Sequence, residues 1–344
     1  MNKILYIGQF SDGTTSRMRG EAIRELHQPE TFQVIDTNVV FNTINRVYRT
    51  IGFKWKIGPL LKKINKLILE QTNNQNYDLI WVDKGIYLYK NTTKTLKGKT
   101  KRLVHYTPDT AFYGNKSHHF YDSINYYDFL ITTKSFEQKN YEELVDKSKL
   151  YFLPQGFNKA LHQPVTLFEN KKHGVTFIGL NEPHREEIVS LLIKNQIPVY
   201  LAGKNWRSFI NKNKSDYLHF LGEGLFSEKY VQTISSTYFS IGLLSKRFPE
   251  LHTTRTFEIP ACGTALITER NVEIDSFYED NEVIKYSSLS EIIEKINYYS
   301  NHPEKLKTLI EKGNKKVLNG DFDYFNQMKK FFEEVYNHKT LEVQ

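Results

Sequence analysis

"GVTFIGLNEPHREEIVSLLIKNQIPVYLAG", residues 174–203, decides the fold. An apolar run over 174–180 is followed by a helical stretch at about 184–195, and a second apolar run occupies 197–203. Both runs are continuous rather than alternating, which suits strands covered by helices on both faces of a parallel sheet. Working toward the C-terminus, the pattern continues with "LHFLG" (218–222), "TYFSIGLL" (237–244), "TALITE" (264–269) and "VIKYSS" (283–288), with helical candidates at 227–235 and 255–262. Working back, it was already complete once: "KILYIGQF" (3–10), "FQVIDT" (32–37), "YDLIWVDKG" (77–85), "KRLVHYTPD" (101–109), "YDFLITT" (127–133) and "KLYFLPQG" (149–156). Two successive doubly wound α/β domains are therefore expected.

The polar, unperiodic segment 157–172 reads as the crossing between a first domain, 1–156, and a second, 173–321. The last sixty residues are helical in character, at 289–301, 303–318 and 322–337. Pro303 suits a first helical turn, and Gly313 or Gly320 is placed to break the run.

At 344 residues the chain is long enough for two cores without a covalent staple, and its single cysteine, Cys262, excludes an internal disulfide. A first strand starting at Lys3 leaves no room ahead of it for a signal peptide, and no apolar run approaches the ~20 residues of a membrane span. The expectation is a cytoplasmic chain. A formal net charge of +8 admits anionic partners. Nothing in the sequence resembles a nucleic-acid module, so nucleic acid is set aside.

In doubly wound sheets ligands sit beyond the carboxyl ends of strands. Gly8 and Gly13, in "GQFSDGTTSRMRG", permit a tight turn or close backbone approach, and Arg17 and Arg19 supply cations; the alternatives are an ordinary strand-to-helix turn and an acceptor or phosphate contact. A dinucleotide fingerprint is absent. His105 and Asp109 end the fourth strand, where they serve either a sugar hydroxyl or a local turn. Gly179 with Arg185, and "LAGKNW" with Lys204, offer phosphate contacts. The densest constellation is "RFPELHTTRTFEIPACGTALITE" (247–269). There Arg255 fits diphosphate oxygens, Glu250 and Glu258 fit ribose or sugar hydroxyls, Thr253 and Thr254 fit a helix cap, and Gly263 fits its end. A structural Arg255–Glu258 pair at i,i+3 is the plainer alternative. No metal-ligating spacing is present: His118 and His119 stand without partners of the right kind, and "SDG" (11–13) is no metal motif. Magnesium stays open as an aid to turnover but is not required by any of these residues.

Residues 54–68, "KWKIGPLLKKINKLI", carry Ile57, Leu60, Leu61, Ile64 and Ile68 at helical spacing beside Lys56, Lys62, Lys63, Lys66 and Trp55. The stripe reads either as an interfacial helix on anionic lipid or as a surface helix packed on the sheet.

The string "HTTRTFEIPACGTALITE" (252–269), supported by "EVIKYSSLSEIIEKINYYSNHPEKLKTLIEKGNKKVL" (282–318), resembles the CgeB-like bacterial glycosyltransferases, relatives of the retaining GT-B families. Glu250 and Glu258, with seven residues between them, match the two-glutamate pattern of those enzymes, although "PEL" lacks the glycine-rich setting of the first. The resemblance implies a GT-B fold, two Rossmann-like doubly wound parallel-sheet domains facing a cleft, with the C-terminal helix from 322 packing back on the first domain. It further implies that Glu258 holds the donor ribose, Arg255 lies near the diphosphate, Glu250 contacts the donor sugar and His105 is a cleft histidine. Expected in consequence is a retaining glycosyltransferase that moves a sugar from a UDP- or GDP-linked donor to a hydroxyl of an envelope glycan, glycolipid or glycoconjugate at the inner face of the membrane. The competing expectations are a noncatalytic glycan-binding or envelope-assembly protein and a sugar-nucleotide epimerase.

Overall fold

The computed structural model describes residues 1–336, so the part of the 322–344 expectation beyond Tyr336 lies outside the described residues. The chain divides into two compact units: unit 1 is Met1–Pro154 with the described part of Gln327–Gln344, and unit 2 is Gln155–Asn326.

In unit 1 six parallel strands, β1 (Lys3–Gly8), β2 (Thr31–Asp36), β3 (Tyr77–Asp83), β4 (Thr100–Thr107), β5 (Phe129–Thr132) and β6 (Leu150–Phe152), lie in the order β2-β1-β3-β4-β5-β6. The winding reverses between β1 and β3, which makes that gap the topological switch point. Helices α1 (Thr15–His27), α2 (Asn38–Thr43), α3 (Arg46–Trp55), α4 (Pro59–Gln71), α5 (Lys90–Lys97), α6 (His118–Ser123) and α7 (Gln138–Glu142) fill the connections. Thr14 caps α1, its side chain accepting from the Arg17 N–H, and Pro59 occupies the first turn of α4, where its missing N–H costs nothing.

The stripe of α4 decides one of the alternatives left open by the sequence. Leu60, Leu61, Ile64 and Ile68 are all fully buried in the core of unit 1 against strand residues such as Leu5, Ile80 and Val82. Burial of each contributes about 1.5–3 kcal/mol, so these residues are core rather than a lipid-facing stripe. Ile57 alone of the set is exposed.

Unit 2 repeats the plan with β7 (Lys172–Ile178), β8 (Val199–Ala202), β9 (Leu218–Gly222), β10 (Thr237–Ile241), β11 (Ala265–Glu269) and β12 (Ile284–Tyr286), ordered β12-β11-β10-β7-β8-β9 and parallel throughout. Its switch point is the β7/β10 gap. The connecting helices are α8 (Pro183–Lys194), α9 (Arg207–Lys212), α10 (Ser227–Ser235), α11 (Arg255–Ala261), α12 (Val272–Phe277), α13 (Leu289–Ser300) and α14 (Pro303–Asn319). Gly313 does not interrupt α14: a Cβ there would stand 2.4 Å from the Glu282 carbonyl oxygen, so its role is close packing, and the helix ends only at Gly320. Residues 157–172 are not a free crossing. Phe157 is fully buried and bridges to Asp323, and Lys171 is buried as well, its amine lowered to about 8 by desolvation.

The last described helix, α15 (Tyr324–Phe331), runs into a π-helical turn over Phe332–Tyr336. Phe331 and Phe332 lie against the ring of Trp81, centroids 5.9 and 6.2 Å away, and Phe332 meets His27 edge-on at 4.3 Å. These contacts are internal to unit 1.

Candidate functional site

Each switch point carries a distinct constellation. In unit 1 a cavity of about 130 Å³ opens beyond β1 and β3, lined by Thr14, Thr15, Ser16, Arg19, Asp83, Lys84, Asp109 and neighbouring apolar groups. Its floor is a buried fork: Arg19 donates from Nε to Asp83 Oδ2 at 2.8 Å and from Nη2 to Oδ1 at 3.1 Å, while its guanidinium lies 4.3 Å from the Tyr106 ring centroid. The Tyr6 hydroxyl donates to Asp83 Oδ2 at 2.9 Å. A paired, hydrogen-bonded charge is the only kind tolerable at such depth. Sequence reading named Arg19 as a cation of the glycine-rich turn but passed over Asp83, which ends β3.

The cavity wall is built on Lys84, whose backbone is left-handed (φ 55°), an uncommon state for a side-chain-bearing residue. Its ammonium pairs with the Asp109 carboxylate. Burial alone would raise the Asp109 carboxyl, but Lys84, with Lys134 and Arg19, holds it below its ordinary value. The turn behind Lys84 is braced by His105, expected to face substrate but here fully buried. Gly85 N–H donates to His105 Nε2 at 3.2 Å, which leaves the ring proton on Nδ1 facing Thr107 Oγ1 at 3.1 Å, and Phe120 stacks on the imidazole at 4.5 Å. Burial lowers the ring to about 3, so it stays neutral. His105 acts through the turn it holds. Gly8 is needed for packing, since a Cβ would stand 2.8 Å from Ser16 Oγ and 2.9 Å from Asp83 Cβ; Gly13 has φ +76°. Arg17 does not line the cavity: it is engaged by Asp12 and by Glu21 at 3.0 Å.

At the switch of unit 2, β7 and β8 end in glycines whose backbones touch. Gly203 has φ +142°, and a Cβ there would stand 1.8 Å from the Gly179 carbonyl oxygen, which also accepts from Trp206 Nε1 at 2.8 Å. Any side chain at 203 would displace the β7 terminus. Lys204 follows, exposed. Arg185, on α8, is buried and ties the switch together: Nη1 donates to Leu180 O at 2.9 Å, Nη2 to Leu243 O at 3.3 Å, and Glu182 lies 3.5 Å away. Desolvation lowers its pKa. Expected as a phosphate contact, it is placed as the clamp between the ends of β7 and β10. Glu182 in turn accepts from Ser245 Oγ at 3.1 Å, and Ser245 N–H donates to Glu250 at 2.8 Å, which fixes the loop after β10.

The Arg255–Glu258 alternative is resolved by geometry. No ion pair joins them among the described residues. Arg255 Nε donates to Ile178 O at 2.7 Å, so its guanidinium stands at the end of β7. Glu258, 6% exposed, is held on the other side, Oε2 accepting from Tyr230 at 2.6 Å and from Thr254 Oγ1 at 3.1 Å. His162 Nε2 lies 3.7 Å from Oε1, too long for a hydrogen bond. Burial, reinforced by the Glu258 charge, raises the Tyr230 phenol well above its usual value and keeps it a donor. Thr254 thus serves Glu258 rather than capping α11, and Gly263, with φ +67°, ends the segment as expected. Tyr230 and His162 lie about 28 and 96 residues from Glu258 in sequence and share no motif with it. His252, also unforeseen, accepts from Gln155 N–H at 2.8 Å and meets Glu273 Oε2 at 2.5 Å. Among the described residues no group of three or more His, Cys, Asp or Glu is placed to hold a metal ion.

The chain is similar to known proteins. Residues 185–333 match a family described as glycosyl transferase-like. Among curated proteins the spore protein CgeB of Bacillus subtilis (strain 168) is 21% identical over 222 residues, covering 61% of this chain and 68% of that protein. Among solved structures, Anabaena HepE in complex with UDP-glucose superposes with a TM-score of 0.66 at 14% identity, covering 100% of both chains. The sucrose-phosphate synthase of Thermosynechococcus elongatus gives 0.64 at 14% identity, covering 98% of this chain and 100% of its own. The described residues have a GT-B-like doubly wound fold, and residues 185–333 resemble a glycosyl transferase-like family.

Proposed function

We propose that this protein is a retaining glycosyltransferase that takes its sugar from a nucleotide diphosphate donor, UDP-linked in the first instance, and passes it to a hydroxyl of an envelope glycan or glycolipid on the cytoplasmic side of the membrane. The observation that carries this reading is the Glu258 carboxylate: buried, oriented by Tyr230 and Thr254 through one oxygen, with the other available to ribose hydroxyls. A buried carboxylate already accepting two hydrogen bonds is pre-organised for a hydroxyl-rich ligand. Arg255, positioned through its Nε at the end of β7, leaves its fork for diphosphate oxygens, with Lys204 adding charge. Arg185 and Gly203 hold the strand ends at which these groups converge. Glu250 meets the donor sugar. The UDP-glucose complex of the HepE relative supports the uridine choice.

The chemistry follows from developing charge. As the glycosidic bond lengthens, negative charge grows on the leaving diphosphate, and fixed cations stabilise it more than they stabilise the intact donor. Attack from the same face preserves the anomeric configuration, the leaving phosphate accepting the acceptor's proton. In unit 1 the Lys84–Asp109 pair presents one donor and one acceptor to the acceptor sugar, and Asp109, kept ionised, remains an acceptor across the neutral range.

Thermal shift against UDP, GDP, ADP, TDP and CDP and their sugars tests the donor assignment. One nucleotide series should stabilise the wild type, by about 2.7 kcal/mol at a hundred times Kd, and Glu258→Gln should lose most of that shift while melting at a similar temperature without ligand. A panel in which no nucleotide stabilises the protein overturns the proposal.

A further inference from the structure

We infer that the outer face of α3, with the α3–α4 turn and the lysines of α4, docks on an anionic lipid bilayer, and that the acceptor is presented to unit 1 from that surface; the second clause rests on the glycosyltransferase reading, the first does not. Between Thr37 and Leu69 the sequence holds seven basic residues and no acidic one, and all but the buried Lys56 are at least partly exposed.

The same segment exposes apolar side chains where a core helix should hide them. Val47, Tyr48, Phe53, Trp55 and Ile57 are each about half or more exposed, whereas the stripe of α4 is buried behind them. On a helical projection Val47, Tyr48, Ile51 and Trp55 share one side of α3, with Lys54 at its edge. Next to that side α3 packs inward: Gly52 is buried, and a Cβ there would stand 2.6 Å from Leu60. Lys62 and Lys63 extend the basic rim along the solvent side of α4, while Lys66 is 3.6 Å from Glu70. Aromatic and aliphatic groups beside lysines, with no carboxylate between them, match the acyl boundary and headgroups of an anionic leaflet. No described helix is long and apolar enough to cross a membrane, so the contact is peripheral.

This surface is wired to the cavity of unit 1. Asn65 of α4 donates to Tyr87 O at 2.9 Å and accepts from Tyr89 N–H at 2.8 Å, and the Lys56 ammonium lies 5.5 Å from the Tyr87 ring centroid. Tyr87 and Leu88 line the cavity. A bilayer against α3 therefore stands beside the cavity wall, and a lipid-anchored glycan is the acceptor class that arrangement serves.

Trp55 reports the contact by itself, because the other two tryptophans, Trp81 and Trp206, are fully buried. The full chain is titrated with phosphatidylcholine vesicles and with vesicles containing phosphatidylglycerol at about one part in three, without nucleotide, and followed by tryptophan emission and co-sedimentation. We expect a blue shift and pelleting with the anionic vesicles alone, weakened by salt. Trp55→Phe should remove the blue shift while pelleting remains. Lys54→Glu with Lys62→Glu and Lys63→Glu should weaken binding at least tenfold, each surface cation contributing about fivefold. UDP-induced thermal shifts of these variants should equal the wild type's, which separates failure of docking from failure of the donor reading. Absence of binding, equal binding to both vesicles, undiminished binding by the triple variant, or a protein-concentration-dependent blue shift without vesicles, the mark of a second copy seated on α3, overturns the inference.

Discussion

At the β1/β3 switch of unit 1 each cation is closed by a carboxylate, Arg19 by Asp83 and Lys84 by Asp109, whereas at the β7/β10 switch of unit 2 the donors of Arg185 and Arg255 go largely to backbone carbonyls. A carbonyl satisfies an N–H without cancelling its charge; a carboxylate does both. One sheet topology thus furnishes a charge-balanced pocket suited to hydroxyls and a more cationic edge suited to phosphates. The specialisation lies in what closes the cations.

The largest effect expected from breaking this contrast is at Asp83. Asp83→Ala leaves Arg19 buried and charged and strips the Tyr6 hydroxyl of an acceptor, and loss of one partner of such a pair costs about 3–5 kcal/mol. Urea denaturation should show that loss in unit 1, whereas Arg255→Ala, at the half-buried edge of unit 2, should cost far less stability.

Acid should separate the units next. Burial lowers His105 to about 3 and His27 to about 4, both in unit 1, against about 6.5 for an unfolded histidine. Because the unfolded chain binds the protons that the fold excludes, stability is intact above about pH 6.5 and falls as pH drops toward the folded values, by up to about 1.4 kcal/mol per pH unit for each ring. Hydrogen exchange at pH 7.5 and 5 should show protection lost preferentially in β3 and β4. His105→Gln should blunt that pH dependence.

Smaller changes act on binding. Glu258→Gln keeps shape but removes the charge, and a hydrogen bond to a charged group contributes about 1.5–3 kcal/mol, so donor affinity measured by calorimetry should fall about tenfold to a hundredfold. Arg255→Lys loses the fork and the bond to Ile178 O, for about tenfold. Asp109→Asn should be the mildest, raising the acceptor KM severalfold with donor affinity unchanged; an equal effect on both would erase the distinction between the switches.

How much of this was legible in the sequence follows from what periodicity encodes. All twelve strands were recoverable: burial on both faces writes continuous apolar runs in the central ones, and even the half-exposed edge strand β9 coincides with "LHFLG" at 218–222 to the residue. α3 was missed because its outer face is not apolar-inward, and the stripe at 57–68 was ambiguous because a core helix and an interfacial helix share one period. Arg255 and Glu258 were found because they sit in one compact string. Tyr230 and His162, which border Glu258, and the Arg19–Asp83 fork are assembled by the winding of the sheet from residues far apart, and no local spacing announces them. For the same reason His105 read as a ligand contact: position at a strand end is visible in sequence, but enclosure by Phe120 and Gly85 is not.

The most direct test is hydrogen exchange of the full chain with and without UDP. The account predicts new protection at Gly179–Glu182, after β10 near Ser245, and at Thr254–Glu258 in unit 2, with none at the β1–α1 turn or Lys84–Tyr87 of unit 1; protection confined to unit 1, or none anywhere at saturating nucleotide, would contradict it.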